Sequence, residues 1–299
     1  MGGGNKIAPL VSVIIPVNKA DLYLEVLLSA LEKQTLLPYE ILIISSKNKN
    51  QTKEIAVRHS KVSLIEIPEN SFNHGETRNI AAANAQGDIL VFMTQDALPA
   101  NDKLFEIMTS SLAIHTKAVA VYARQLPKIN AAPYEKLFRL FNYPPESAVH
   151  DWKDIKTLGL RAFYLSNVCA AYKKNFFLSL RGFEQNLLSN EDMLFAAKAI
   201  RSGYKIIYEA SAQVFHSHNF SLREQYLRSK FQGYELAKHK SLIENNSPVK
   251  IGRSMFLFVT KGLLRERKLI SWLYFIAECF VRYIGFFSGK YKGICELKK

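Results

Sequence analysis

The sequence predicts an α/β fold in which helices flank a wound, mostly parallel β-sheet. Apolar runs rich in β-branched residues alternate with segments of helical periodicity through the first 125 residues. The first run, Val11–Val17, is continuously apolar apart from one serine and is closed by Pro16. Continuous apolar runs of this kind are typical of parallel strands that are buried on both faces.

Each element is predicted from its own pattern. The first helix carries leucines at helical spacing behind a possible cap at Asp21, and a later one is closed by Gly203. The alternation of strands and helices ends in a segment rich in proline and aromatic residues, from Pro127 to Trp152. This segment could line a cleft or pack an irregular subdomain. The other strands are expected at Glu40–Ser45, Val62–Ile67, Asp88–Thr94, Asn167–Tyr172, Lys205–Tyr208 and Gln213–His218, and two more helices at Glu76–Ala85 and Asn190–Arg201.

Composition limits the class of protein. The chain has 299 residues, of which 48% are hydrophobic and 22% charged, enough for one large core with a smaller appendage. Its three cysteines lie far apart, which favours reduced thiols in the cytoplasm over a disulfide framework. The first residues lack the pattern of a secretory signal, so secretion is not expected.

The positive charge is concentrated near the end of the chain. From Ser221 to Lys299 there are 16 Lys and Arg against 6 Glu, which accounts for +10 of the total of +14. Within this tail, Leu269–Phe287 is 19 residues long and aromatic, with cations before and after it. By length it could span a bilayer, but Glu278 and Arg282 fall near its middle, so it could also lie in the headgroup layer or pack on the protein.

We expect residues 1–220 to form the catalytic domain and residues 221–299 a basic helical extension that associates with an anionic membrane surface. No recognised nucleic-acid-binding module accompanies the charge.

Two neighbouring segments carry the chemistry. Asp96 follows a buried strand, and the carboxyl edge of an open α/β sheet is where ligands bind. A carboxylate there suits a divalent cation that holds a diphosphate, although it could also cap the following helix. Just before this strand, Gly75, Arg78 and Asn79 surround the start of a helix, an arrangement that attracts phosphate.

Read together, the motifs of this chain resemble those of inverting family 2 glycosyltransferases with the GT-A fold, and among these the bacterial rhamnosyltransferases. The resemblance covers roughly residues 10 to 235. It rests on motifs in the expected order: Val13-Ile14-Ile15-Pro16-Val17, His74-Gly75-Glu76-Thr77-Arg78-Asn79, Thr94-Gln95-Asp96-Ala97, Gly182-Phe183, Glu191-Asp192 and His216-Ser217-His218.

The resemblance assigns roles to these residues. It implies that Asp96 and His216 bind Mg²⁺ or Mn²⁺, and that Asp192, beside Glu191, is the base that deprotonates the acceptor hydroxyl. The alternatives are a structural histidine pair and acids that complement a helix dipole. The nucleotide-sugar donor would be bound by the remaining site residues: Pro16, Val17, Ser45, His74, Gly75, Arg78, Asn79, Gln95 and His218.

The chain departs from the family pattern at two positions. Thr94-Gln95-Asp96 replaces the commoner Asp-x-Asp motif, so a single carboxylate would leave a weaker, water-rich metal site. Ser45 and the polar residues after it replace the acid that reads the nucleotide base, which leaves thymidine and uridine diphosphates both open as donor nucleotides.

The resemblance implies transfer of rhamnose from dTDP-rhamnose to a saccharide acceptor, which a lipid could carry, by an enzyme held at the inner face of the plasma membrane. Two other functions stay open at this point, a nucleotidyltransferase and a catalytically weak scaffold at the membrane. An oligomer is also possible.

Overall fold

The computed structural model describes residues 8–17, 22–46, 50–68, 71–243 and 248–297. Over these residues the strands are β1 Val11–Val17, β2 Glu40–Ser46, β3 Val62–Ile67, β4 Ile89–Met93, β5 Leu98–Pro99, β6 Ala118–Leu126, β7 Ala148–His150, β8 Cys169–Lys173 and β9 Lys205–Phe215. The α-helices are α1 Leu22–Leu31, α2 Asn50–Ala56, α3 His74–Asn84, α4 Leu104–Ile114, α5 Pro133–Asn142, α6 Ile155–Leu158, α7 Lys174–Ser179, α8 Glu191–Arg201, α9 Leu222–Lys238, α10 Lys240–Ile243, α11 Pro248–Arg265 and α12 Leu269–Leu297.

The strands form one twisted sheet in the order β3-β2-β1-β4-β8-β6-β9-β5, with β7 on β9. The first four strands are parallel, as expected. Strand β8 is antiparallel to both β4 and β6, so the second half of the sheet is mixed. The segment after β6 includes β7, which runs antiparallel to the first half of β9, and the chain then returns to the carboxyl edge and enters β8 from there.

Both faces of the sheet are covered by apolar residues. On one face Phe92, Tyr172, Phe177, Phe183 and Phe195 pack as a group of aromatic rings with centroids 4.9 to 5.8 Å apart. Aromatic pairs at these distances add to the free energy of burial. This group joins β4 and β8 to the helices that follow them and so fixes the carboxyl edge of the sheet.

Two predicted strands turn out to be one. Strand β9 runs from Lys205 to Phe215, and its register against β6 shifts between Ala123 and Arg124, where the prediction left a gap. His216 and His218 therefore lie in the loop after β9, and the predicted strand Gln213–His218 was wrong at these two residues. Asp21, the predicted cap of the first helix, lies outside the described residues. Helix α4 begins at Leu104 with Lys103 at its N-cap, which excludes Asp96 as its cap.

In the basic tail, α9 and α12 lie side by side and run parallel. A methyl group added at Gly285, Gly289 or Gly293 would meet the carbonyl oxygens of residues 226, 230 and 234 at 2.4, 1.8 and 2.8 Å. Gly233 of α9 faces α12 in the same way. Glycines at intervals of four residues thus let the two backbones approach closely, a pattern that the sequence analysis missed.

The polar residues near the middle of α12 face the protein. Glu278 is 2% exposed, accepts hydrogen bonds from Gln225 of α9, and pairs with Arg282 at 2.6 Å. On α5, Tyr134 packs with Phe275, and the tail thereby shares a small core with the rest of the chain. By length and composition α12 is the one described helix that could cross a membrane.

Candidate active site

Three side chains with metal-ligating atoms meet beyond the carboxyl ends of β4 and β9. The Asp96 carboxylate oxygens lie 3.5 Å from Nε2 of His216 and 3.4 Å from Nε2 of His218, and the two Nε2 atoms are 3.0 Å apart. Ligand atoms about 2.1 Å from one ion are about 3.0 to 3.4 Å apart at octahedral to tetrahedral angles. The donor set and its spacing therefore fit a divalent cation.

The orientation of His216 is fixed by Gln125, which is 2% exposed on β6. The Gln125 side-chain oxygen accepts from the Arg139 guanidinium, and its Nε2 donates to Ser166 Oγ at 2.9 Å. Because a guanidinium can only donate, that oxygen is also the acceptor for His216 Nδ1 at 3.1 Å. The proton of His216 is thus on Nδ1, and the lone pair of Nε2 faces Asp96. A ligating histidine requires this tautomer.

The charges around Asp96 favour its ionised form. Burial raises the pKa of Asp96, but protonation of His216 or His218, the Lys128 charge and a hydrogen bond from Thr94 outweigh that effect and lower it. Burial also lowers the pKa of both histidines, most strongly for His216, which keeps the imidazoles neutral and able to bind a metal. Lys128 Nζ lies 3.2 Å from Asp96 and 4.4 Å from the centre of the Tyr23 ring.

An open cleft of about 390 Å³ lies over this site. Gln95, a predicted substrate-binding residue, and His218 are in its wall. Neither Lys128 nor Tyr23 was among the predicted site residues, because no motif surrounds them. The full lining is Tyr23, Gln95, Asp96, Lys128, Asn130, Ser217, His218 and Asn219.

The two adjacent acids at the start of α8 have different environments. Asp192 accepts hydrogen bonds from the backbone N–H groups of Asn167 at 3.0 Å and Met193 at 2.8 Å. Burial, then the neighbouring Glu191 charge, raises the pKa of Asp192 to about 7. Glu191 is 8% exposed and forms a 2.8 Å ion pair with Arg78. Asp192 therefore has the pKa of a general base near neutral pH, and Glu191 is a buried partner.

A short path of contacts connects Asp192 with the Asp96 site. Gln125 holds both His216 and Ser166, the residue before Asn167, whose backbone binds Asp192. Further along, the backbone of Thr94 donates to Val168 at 3.1 Å. The potential metal ligands and the potential base thus lie at the same edge of the sheet. Asn167 and Gln125 were not predicted, since a buried amide leaves no signal in a single sequence.

At the start of α3, where a phosphate site was predicted, the polar groups form hydrogen bonds with other groups of the protein. The Asn73 side chain caps the helix by accepting from the N–H groups of Gly75 and Glu76. Arg78 is 3% exposed and donates to the His74 carbonyl and to Glu191. These internal contacts argue against Gly75 and Arg78 as diphosphate contacts, a role that stays a prediction. Arg78 holds Glu191, and through it the start of α8.

Asn79 is likewise structural. Its side chain donates to the Phe183 carbonyl at 2.9 Å and accepts from the Phe183 N–H at 2.9 Å. Gly182 has a φ of +60°, and a Cβ there would lie 2.5 Å from the Asn79 oxygen. Asn79 of the Arg-Asn motif and Phe183 of the Gly-Phe motif thus connect α3 to the loop before α8. Gly75 approaches the same loop, with the Glu184 carbonyl 3.0 Å from its Cβ position.

The remaining predicted residues lie at the ends of β1 and β2 or near α8. Val17 and Ser45 pair in the parallel sheet and are buried, and the Ser45 hydroxyl has no hydrogen-bond partner among the described residues. Pro16 lies beyond the segment of β1 that pairs with β4, where its missing N–H is tolerated. His74 is exposed, with its ring 5.4 Å from that of Phe72, and desolvation followed by the Arg78 charge lowers its pKa.

Fold and site together define a GT-A glycosyltransferase. Residues 12–180 match the family described as Glycosyl transferase family 2, and the chain therefore belongs to this family. The family supports a glycosyltransferase over the two alternatives left by the sequence, a nucleotidyltransferase and a catalytically weak scaffold at the membrane.

Two curated relatives are O-antigen chain rhamnosyltransferases. The chain is 37% identical over 219 residues to RfbN of Salmonella typhimurium, a match that covers 73% of this chain and 69% of the relative. It is 40% identical over 200 residues to WbaN of Salmonella anatum, which covers 67% of this chain and 63% of the relative. The matched region thus spans about two thirds of each relative.

Among solved structures, the mannosyltransferase PcManGT of Pyrobaculum calidifontis, in complex with GDP-Man and Mn²⁺, is similar with a TM-score of 0.66. It is 16% identical, and the match covers 94% of this chain and 88% of that one. TarS 1-349 of S. aureus in complex with UDP gives a TM-score of 0.55 at 18% identity, covering 85% of this chain and 72% of that one. At these identities the likeness shows the fold.

Proposed function

We propose that this enzyme transfers rhamnose from a nucleoside-diphosphate donor, dTDP-rhamnose, to a hydroxyl of a growing bacterial surface polysaccharide, with inversion. The observation that carries the proposal is the placement of the Asp96 site and the Asp192 carboxyl at one edge of the sheet. The identity to two O-antigen rhamnosyltransferases supports rhamnose as the sugar.

Asp192 acts as the base in a single displacement. Its carboxylate accepts the proton of the acceptor hydroxyl while that oxygen forms a bond to the anomeric carbon, and the bond from that carbon to the diphosphate oxygen breaks. Backbone N–H groups on both sides hold the carboxylate still. Asp96, His216 and His218 would hold Mg²⁺ or Mn²⁺, which when bound neutralises the leaving diphosphate. Gln95, in the cleft wall, contacts the donor.

The acceptor is carried by a lipid, and the enzyme works in the cytoplasm, bound peripherally to the inner face of the plasma membrane. Apolar side chains cover the outer face of α12, including Ile270 at 86% and Phe280 at 65% exposure, and Leu257 of α11 is 57% exposed. Arg265 and Lys268 precede α12, and cations recur near its end. Apolar area bordered by cations suits the headgroup layer. Crossing the bilayer would require α12 to leave α9 and to expose Glu278 to hydrocarbon.

The test is an assay of transfer and donor hydrolysis with dTDP-rhamnose, UDP-sugars and GDP-mannose, after chelation and after return of Mn²⁺ or Mg²⁺. We expect release of dTDP only from dTDP-rhamnose, and only with metal. Turnover of another sugar nucleotide in preference, or full activity in chelator, would contradict the donor or the metal role respectively.

A further inference from the structure

Three arginines from three helices converge beside the candidate active site, and only two of them have a carboxylate partner. Arg139 of α5 pairs with Glu135 at 2.7 Å, and Arg282 of α12 pairs with Glu278. Arg228 of α9 has no carboxylate within 4 Å among the described residues, while both other arginines act on its charge. Arg228 is thus the arginine of this cluster that has no carboxylate in ion-pair contact, although the charges of Glu135 and Glu224 also act on it.

The nearest acid on the same helix is Glu224, and its carboxylate is hydrogen-bonded to Ser221. The Glu224 carboxylate accepts from the backbone and hydroxyl of Ser221 in the capping box of α9. Arginine stays protonated in proteins, so Arg228 keeps its charge although burial lowers its pKa. Arg228 is exposed, and an accessible guanidinium without a carboxylate in direct contact can bind an anion.

A row of adjacent rings connects Arg228 to the candidate metal site. The His216 and His218 ring centroids are 4.6 Å apart, and the Phe220 ring stacks on His218 at 4.7 Å. The Arg228 guanidinium lies over Phe220 at 4.4 Å from its centre. The Arg228 cation is thus separated from His218 by the Phe220 ring.

Arg228 also acts on the side of the cleft where Asp192 lies. Burial and then Arg78 lower the pKa of His74, and Arg228 lowers it further. The same guanidinium lowers the pKa of His218, after burial. Arg228 is therefore near both His74, beside the Arg78–Glu191 pair, and His218, which is in the cleft wall.

The helix that carries Arg228 is held rigidly. Its first turn is closed by the Ser221 and Glu224 capping box, and Gly233 packs directly on the α12 backbone. Gln225 donates to the buried Glu278 of α12. A binding group on a fixed element is held in place before its ligand arrives, which lowers the entropic cost of binding.

We propose that Arg228 is a phosphate-binding residue, which binds the diphosphate of the donor and of the leaving nucleotide beside His218. The inference rests on the proposed function and deepens it, because it names the group that the basic tail contributes to the donor site. Residue 228 lies outside the part of the chain that matches the family, residues 12–180. The tail thus has a role in donor binding besides any role at a membrane.

Calorimetry with inorganic pyrophosphate and with dTDP, in the presence of Mn²⁺, tests this. We expect Arg228→Ala to bind both probes roughly 10- to 100-fold more weakly, the usual effect of losing a charge-assisted hydrogen bond. The affinity of Arg228→Lys for both probes should lie between those of Arg228→Ala and the parent, since lysine keeps the charge but lacks the planar guanidinium. Arg223→Ala removes the same charge from the exposed face of α9 and should bind like the parent.

Equal binding of pyrophosphate by the parent and Arg228→Ala, or no binding by the parent, would overturn the assignment. So would a fall in the unfolding temperature of Arg228→Ala that accounts for the loss, because the role would then be structural. If pyrophosphate binding depends on Arg228 but the parent binds no dTDP, UDP or GDP, the phosphate site stands and the proposed transfer from a nucleotide sugar fails.

Discussion

At the scale of single residues, two adjacent carboxylates have been given different properties by their neighbours. The Arg78 guanidinium compensates the charge of Glu191. Asp192 has two backbone donors instead, and burial together with the charge of Glu191 raises its pKa to about 7. A carboxyl whose surroundings raise its pKa toward neutrality is a usual feature of sites for proton transfer.

Asp192→Asn should lose transfer while donor binding is retained. The amide keeps the shape of the side chain but cannot take a proton, and loss of a general base typically lowers the rate about 10²- to 10⁴-fold. The measurement is the transfer rate together with the Kd for dTDP in the same buffer. Near-normal turnover of this variant would remove Asp192 from the mechanism.

Glu191→Gln is the matched change one residue earlier, and its effect should fall mainly on stability. The variant would leave the buried Arg78 charge without a partner, which costs about 3 to 5 kcal/mol. Thermal unfolding measures it. A stable but inactive Glu191→Gln enzyme would instead make Glu191 the base.

The rate should depend on pH with a single limb near neutrality. With the Asp192 pKa at about 7, the carboxyl is increasingly protonated below pH 7, so kcat/KM should fall as pH decreases and level off above it. The negative charge of Glu191 raises that pKa, so Glu191→Gln, where it folds, should move the limb to lower pH. A profile of kcat/KM that is flat between pH 5.5 and 8 would contradict this account.

At the scale of elements, the contact between α9 and α12 depends on glycine. A Cβ at position 289 would lie 1.8 Å from the carbonyl oxygen of residue 230, and both atoms belong to rigid helices. Gly289→Ala should therefore destabilise the protein by about 1 to 3 kcal/mol, measured by denaturant unfolding. Gly252→Ala on α11 is the control, because nothing lies within 4 Å of its Cβ position. Alanine at position 252 should stabilise the protein by about 0.5 to 1 kcal/mol, because alanine favours the helix more than glycine does. Equal effects of the two changes would mean that α9 and α12 are not in close contact.

The outer face of α12 should bind anionic vesicles. The protein should sediment with vesicles that contain phosphatidylglycerol, and added salt should release much of it, because salt screens the attraction between cations and lipid headgroups. Phe280→Ser should weaken this binding. Ile129→Ser, at a position 97% exposed outside the tail, should not. Binding that survives high salt and alkaline extraction would indicate a spanning helix, and dimer formation without lipid would indicate self-association.

At the scale of the whole molecule, a bound ion should stabilise the fold. Mn²⁺ at about 100 times its Kd should add about 2.7 kcal/mol to the free energy of unfolding, since it binds only the folded protein. Thermal unfolding with and without Mn²⁺ measures this. Asp96→Asn should lose the gain, and Asp102→Asn, an exposed acid near the start of α4, should keep it. The same gain in both variants would place the metal elsewhere.

Much of the fold could be predicted because its signals are local. The apolar runs of β1 to β4 and the capped or glycine-terminated helices depend on residues that are near one another in sequence. The resemblance singled out Asp96, His216 and His218, which the structure brings together. Their roles stay a prediction, as do those of Pro16, Val17 and Ser45. The boundary at residue 220 likewise stays a prediction, although the tail shares a core with α5.

The sequence by itself determined the alternation of strands and helices, the family motifs and the excess of charge in the tail, because each is present in residue types and spacing. Only the tertiary structure decided which polar groups have partners. Arg78 and Asn79 have the residue types of a phosphate site, but Glu191 and Phe183, more than 100 residues away, bind them. Arg228 looks like any helical arginine until Glu135 and Glu278 are seen to bind other cations. Pairing between distant residues depends on how the chain packs, and a local pattern contains no record of it.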